Sequence, residues 1–335
     1  MKKNGKLIAV IAFLVGLMII PIGVYYHFNG IHLSPSGLDN AQLARNIAEG
    51  KGFTTGFIRP ASLFFSPELL DHPDLYNPPL YPLILSLFFQ LGGASDGVTV
   101  FWSLVLFWAG GAALFVFSRL TFDLKTGVLT ALFYFTNPIL LDRVLGGAPV
   151  LLSSVLFLLL LILLCLLKKN YYGYLLLGAF TGLGYLSGYY WFWFLIPLTG
   201  LYLLPGQDKG RLADSIKKAV PLLILGFIGV AIWWWIRNTA VAGFPFSTLH
   251  NYGYKMFTGL FPGESILRRT ILLDASATPF LGQFIIKWGF RSADLYRQLL
   301  TVTGTYLAPF IWLGLIALFQ ERENSKLRRF LLFCL

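Results

Sequence analysis

Long apolar runs alternate with short polar interruptions along this chain, and the runs define its elements. The first, Leu7–Tyr26, is near the ~20 residues a helix needs to cross a bilayer. It follows Lys2, Lys3 and Lys6 and closes on the aromatic pair Tyr25-Tyr26, a membrane-interface pattern. It is long for a signal-peptide core and lacks a small-residue cleavage exit, so it reads as a retained anchor. Later runs predict spans at Val98–Leu120, Thr126–Leu141, Val150–Leu167, Tyr172–Ser187, Tyr189–Leu204, Ala219–Ile236 and Thr301–Phe319. Leu80–Leu91 differs, because a run of that length reaches only about 18 Å as helix, short of the ~30 Å hydrocarbon core. It reads as a juxtamembrane or re-entrant helix whose entry Pro78, Pro79 and Pro82 fix. Phe330–Leu335 opens what reads as a further span, so the chain is expected to be truncated at its C-terminus.

Two long polar stretches break this pattern. With its juxtamembrane helices, the first forms an outer loop over residues 31–97, whose polar part is Ile31–Tyr81; the second outer segment is 237–300. Long ordered loops in compact proteins are usually functional. Early in the first, Ser36-Gly37-Leu38-Asp39 matches a capping box, with Ser36 as cap and Asp39 reaching back to its amide. The helix it starts would carry Leu38, Ala41, Ala44, Arg45 and Ala48 on one face and stop at Gly50 and Gly52. Such a helix lies along a membrane surface and holds Asp39 near the headgroups, in reach of a lipid phosphate and a water-soluble acceptor.

Composition bears out the class. Apolar residues make up 56% and charged residues 12%, too little polar surface to cover a soluble globule of this length. The expected fold is all-α, a polytopic helical membrane protein forming one transmembrane domain over 1–335. A net charge of +11 raises the question of nucleic acid, which its distribution answers. With the N-terminus cytoplasmic, Arg119, Lys125, Lys168, Lys169, Lys209, Arg211, Lys217, Lys218, Arg322, Lys326, Arg328 and Arg329 fall on that same side. The positive-inside rule thus absorbs the excess charge, and no nucleic-acid partner is needed. Cys165 and Cys334 both lie in apolar runs and carry no disulfide or metal reading.

Few residues outside the apolar runs have chemistry to offer. Asp71, His72 and Asp74 are spaced as metal ligands could be, although a solvated loop is the simpler reading. Arg237 follows Trp233-Trp234-Trp235, where an arginine either snorkels to the interface or pairs its planar fork with a phosphate. His250 and Lys255, with Arg268 and Arg269, could extend that positive surface.

Taken in order, the anchor, the acid-bearing helix, Gly50-Lys51-Gly52-Phe53, Pro78-Pro79-Leu80-Tyr81-Pro82 and Trp234-Trp235-Ile236-Arg237-Asn238 with Gly243-Phe244-Pro245-Phe246 resemble the GT-C membrane glycosyltransferases. The nearest branch holds lipid A aminoarabinose transferase, protein O-mannosyltransferases and RgtA/B/C/D-like enzymes. The resemblance spans about residues 1–250. It implies a helical bundle in a bacterial-type plasma membrane, in which a sugar moves from a polyprenyl-phosphate carrier to a glycan, lipid or protein acceptor on the outer face. It further implies that Asp39 is the catalytic base and that Arg237, with Lys255 and His250, holds the carrier phosphate. Asp74, His72, Tyr81 and Asn238 become candidates for the acceptor cavity. No cofactor is fixed, and a divalent metal stays open. The chain departs from the family at Ala148, where a second acid commonly stands; Asp142 is the nearby acid. Two other functions compete with this one. A flippase would need ionisable groups at mid-span, whereas here they cluster at span ends. A non-catalytic carrier-binding subunit remains open.

Overall fold

A computed structural model describes residues 2–167, 170–195, 212–246, 289, 292–294 and 297. The described chain is almost all helix, and it divides into two compact units. Among the described residues, the first comprises those up to Gly50 and Pro78–Val230; the second takes Lys51–Asn77 and those from Ala231 onward.

In the first unit, α1 (Lys2–Asn29) is a single helix that runs through Pro21 and ends where Gly30 adopts φ 66°. Its helical start lies five residues before the apolar run begins. α2 (Pro35–Ala48) and α3 (Leu80–Gly92) pack on each other. α3 has 13 residues, about 20 Å, and is too short to cross a bilayer, as its apolar run predicts. α4 (Asp96–Thr121) is capped by Ser95, whose side chain accepts from the Val98 amide, and is long and apolar enough to span. It packs against α5 (Leu124–Phe135) and α7 (Val150–Leu166). Gly110 and Gly111 are what let α5 approach: a Cβ at Gly111 would enter the Phe135 ring. Phe107 of α4 stacks on Tyr134 at 5.2 Å and meets Phe135 edge-on at 5.3 Å.

The predicted span Thr126–Leu141 is not one helix. α5 ends at Phe135 and α6 (Pro138–Leu145) leaves at 53° to it. Asn137-Pro138 causes the break. Pro138 lacks the amide an uninterrupted helix needs, while the Asn137 side chain accepts from the amides of Ile139 and Leu140 and starts a new helix.

α7 and α8 (Tyr171–Ser187) are joined by a hydrogen bond of 2.8 Å between Ser153 Oγ and Ser187 Oγ. α8 meets α9 (Leu212–Ala242) through small residues. A Cβ on Gly178 would collide with the Leu223 carbonyl, and one on Gly226 with the Leu175 carbonyl. Close backbone approach over glycine is how membrane helices gain contact where lipid removes the hydrophobic drive. The predicted span Tyr189–Leu204 begins as a 3-10 turn, Tyr189–Phe194, and residues 196–204 lie outside the described residues. Of the basic loop predicted over Pro205–Lys218, residues 212–218 are instead the first turns of α9; its earlier part, the span Thr301–Phe319 and the apolar C-terminal end lie outside the described residues. Ala219–Ala242 of α9 is the second helix long and apolar enough to cross a membrane, and the bent α5–α6 pair would make a third. The described chain is thus a helical membrane protein, as the apolar runs predict.

Candidate functional site

Asp39 belongs to the first unit, and its helix does not start as a capping box at Ser36. The cap is Ser34: its Oγ accepts from the Gly37 amide at 3.1 Å, and Pro35 occupies the first helical position. Serine followed by proline is itself a helix-start signal, and the fixed φ of proline suits that first position. Asp39 therefore sits five positions beyond the cap, past the point from which a box carboxylate reaches back. The buried face also differs from the predicted one. It is Gly37, Asn40, Leu43 and Ala44, while Leu38 is 52% exposed. Gly37 sets the rotation, because a Cβ there would run into the Gly146 carbonyl, so the helix turns its smallest residue inward.

That contact is one of several fastening the segment before α2 to the turn between α6 and α7. Ser34 N and Ser34 Oγ both donate to Gly146 O, at 2.8 and 2.9 Å. Tyr81, 1% exposed, donates to Gly147 O at 3.0 Å. Burial pushes its phenol up to about 12, against a smaller opposing effect of the Ser103 hydroxyl, so it remains a neutral donor. Gly147 has φ 62°, a conformation that glycine adopts without penalty. Ala148, where a second acid is expected by resemblance, is 1% exposed and part of the packing. Asp142 is half-exposed on α6, with His32 Nε2 at 2.9 Å and the Tyr25 hydroxyl donating at 3.3 Å. An exposed pair of this kind contributes roughly 0–1 kcal/mol. Replacing the true cap, Ser34→Ala, should cost about 1–2 kcal/mol in thermal unfolding of the detergent-purified protein. Ser36→Ala should stay within about 0.5 kcal/mol.

Arg237, Asn238, His72 and Asp74 lie in the second unit. There the first outer loop turns back on itself: β1 (Thr54–Thr55) pairs antiparallel with β2 (His72–Pro73), with a 3-10 turn at Pro60–Phe64 between them. Of the acidic–imidazole cluster, Asp71 is exposed as a solvated loop predicts, but His72 and Asp74 are buried. His72 is fully buried between Ser62 Oγ at 2.6 Å and the Glu68 carbonyl at 2.7 Å. Asp74 is 2% exposed and pairs with Arg59, 3% exposed, at 3.4 Å. Its Oδ1 also accepts from the amides of Tyr76 and Asn77, at 2.8 and 2.7 Å. The Arg59 guanidinium lies 3.9 Å over the Tyr76 ring and 4.9 Å over Phe57. Nothing in the sequence marks Arg59, since an arginine in a short polar loop reads as solvated. Among the described residues, no three His, Cys, Asp or Glu side chains gather as a metal site requires.

Arg237 stands one turn before the end of α9. Its Nη2 donates to the Phe53 carbonyl at 3.3 Å and its Nη1 to Asn238 Oδ1 at 3.2 Å. The guanidinium lies 4.7 Å over the Trp234 ring and 5.4 Å over that of Phe53. Buried Asn238 donates to the Pro245 carbonyl at 3.3 Å, and Trp235 meets Phe246 edge-on at 5.1 Å. The whole Trp-Trp-Ile-Arg-Asn and Gly-Phe-Pro-Phe pattern thus forms one local structure. His250 and Lys255 lie outside the described residues.

In the first unit, then, the sequence-read acid is carried by a helix fastened to the α6–α7 turn. In the second, the sequence-read arginine is held by aromatic rings and a carbonyl. No curated protein and no solved structure matches the chain. Residues 71–235 match the family model described as dolichyl-phosphate-mannose-protein mannosyltransferase. The match begins inside the first outer loop, takes in the proline run and all of α3 to α8, and ends two residues before Arg237. Over these residues the chain is thus similar to the dolichyl-phosphate-mannose-protein mannosyltransferases, which supports a membrane glycosyltransferase of GT-C type.

Proposed function

We propose that the protein transfers a sugar from a polyprenyl-phosphate-sugar donor to a glycan, lipid or protein acceptor on the extracytoplasmic face, with its N-terminus cytoplasmic. In this reaction Asp39 takes the proton of the acceptor hydroxyl while that oxygen bonds to the anomeric carbon. The bond from that carbon to the phosphate oxygen breaks at the same time. The carrier leaves as its phosphate, whose added charge Arg237 balances. Attack opposite the leaving phosphate inverts the anomeric carbon. His250 and Lys255 extend the positive surface for the carrier, while His72, Asp74 and Asn238, all buried, brace the backbone of their unit rather than meet the acceptor.

The observation that carries this reading is the seat of Arg237 near the end of an apolar helix, with two aromatic faces and a carbonyl orienting its fork. A guanidinium so held near the end of an apolar helix suits a lipid-borne phosphate. The family match supports a mannosyl-type sugar transfer.

The test is a purified-protein assay with a labelled polyprenyl-phosphate-mannose. Transfer or carrier hydrolysis supports the enzyme. Binding without turnover would reassign the chain as a carrier-binding subunit, and movement of the lipid between leaflets as a flippase. In the same assay Arg237→Ala should lower turnover by roughly 10²–10³. Arg237→Lys should recover only part of it, because a point charge does not replace a planar fork.

A further inference from the structure

The run Gly50-Lys51-Gly52-Phe53 has no part in the chemistry above, yet its last residue touches Arg237 in two ways. The Phe53 carbonyl accepts from Arg237 Nη2 at 3.3 Å across 184 residues of sequence, and the Phe53 ring lies under the guanidinium at 5.4 Å. The same ring meets Trp234 edge-on at 4.9 Å, so Phe53 and Trp234 form two walls around one cation. Gly52 turns the chain into this position at φ 76°, where a side chain would be strained.

The Phe53 carbonyl is itself fixed. It also accepts from the Asp74 amide at 3.2 Å, in line with the β1–β2 pairing that follows. A carbonyl oxygen has two lone pairs, and these two donors use both. Asp74 in turn is held by buried Arg59 and by the amides of its own turn. The direction of the guanidinium is therefore set by a ladder running from a buried ion pair, through a backbone carbonyl, to the arginine.

We propose that Phe53 is a positioning residue for the carrier-phosphate site: the first outer loop, through the ring and carbonyl of Phe53, pre-orients Arg237 for a phosphate monoester or diester. This rests on the reading of Arg237 given above. An arginine whose fork is already aimed loses less rotamer freedom on meeting its anion, and affinity rises by that saving. The ladder gives the Gly-x-Gly-Phe run its role, in which the second glycine places the phenylalanine and the phenylalanine places the arginine.

The test is a double-mutant cycle on binding of decaprenyl phosphate to the full chain in detergent, with thermal unfolding followed in parallel. Phe53→Leu keeps the carbonyl and removes the aromatic wall, and should weaken binding roughly three- to thirtyfold, the range of a cation–π contact. Phe53→Trp should restore most of that loss. In an Arg237→Lys background, Phe53→Leu should cost less than about twofold more, since coupled residues are non-additive. An equal loss in both backgrounds, or a loss that Phe53→Trp does not rescue, would assign Phe53 to the fold alone and overturn the proposal. If Arg237→Ala abolishes binding while Phe53→Leu binds like the wild type, the proposal fails and the reading of Arg237 stands. If Arg237→Ala binds like the wild type, that reading fails and takes the proposal with it.

Discussion

Asp39→Asn should abolish sugar transfer, with turnover down by roughly 10²–10⁴, the usual worth of a general base. Asparagine matches the carboxylate in size and can still accept a hydrogen bond, but it cannot take the hydroxyl proton. The capping geometry sharpens the expectation. Were Asp39 the reciprocal partner of a capping box, losing its charge would also loosen the helix, and activity and stability would fall together. Ser34 holds that office instead, with the Gly37 amide on its Oγ. Asp39→Asn should therefore keep the helix cap at Ser34 while losing sugar transfer, and the transfer assay and thermal unfolding read the two separately. Ser34→Ala should show the reverse, a less stable protein that still turns over. Near-wild-type transfer by Asp39→Asn would remove Asp39 from the mechanism.

The largest effect on stability should come from the buried pair in the first outer loop. Arg59→Ala leaves the Asp74 carboxylate 2% exposed with its guanidinium gone, a change that typically costs about 3–5 kcal/mol. It also removes the flat cation lying 3.9 Å over Tyr76. Asp74→Ala should cost a similar amount, because it removes the carboxylate facing buried Arg59 and strips the acceptor from the Tyr76 and Asn77 amides. A compensated double variant separates these causes. Arg59→Met with Asp74→Asn removes both charges and keeps an oxygen for the turn, so it should recover most of the lost stability. Limited proteolysis within 51–77, read against global thermal unfolding, would show the effect. If Arg59→Ala unfolds and resists protease like the wild type, the pair is not what holds this loop.

Much of the bundle was legible because its signals are local and one-dimensional. The apolar runs at Val98–Leu120 and Val150–Leu167 agree with α4 and α7 to within about two residues at each end, since nothing competes with length and hydropathy there. The break in α5–α6 lay equally open in the Asn137-Pro138 pair, but the apolar character of both sides masked it. Around Asp39 the sequence analysis places the helix start at Ser36, whereas the structure places it two residues earlier, at Ser34-Pro35. Three-residue spacing alone does not choose between them. The choice falls to Gly37 against Gly146, a contact more than a hundred residues long in sequence that no local pattern carries. The same holds for the burial of His72 and Asp74. Their polarity predicts water, and only the distant partners Ser62 and Arg59, themselves unremarkable in sequence, make burial tolerable.

The long reach of these contacts bears on how the chain is made. Ser34 finds its partner 112 residues later and Phe53 finds Arg237 184 residues later. At about 5–20 residues per second of synthesis, those partners emerge on the order of ten seconds after the loop itself. Through that interval the helix bearing Asp39 lacks the glycine turn it rests on, and Phe53 lacks its cation. The first outer loop is thus synthesised well before the contacts that seat it, and a ribosome stalled before Gly146 would leave α2 without its glycine turn.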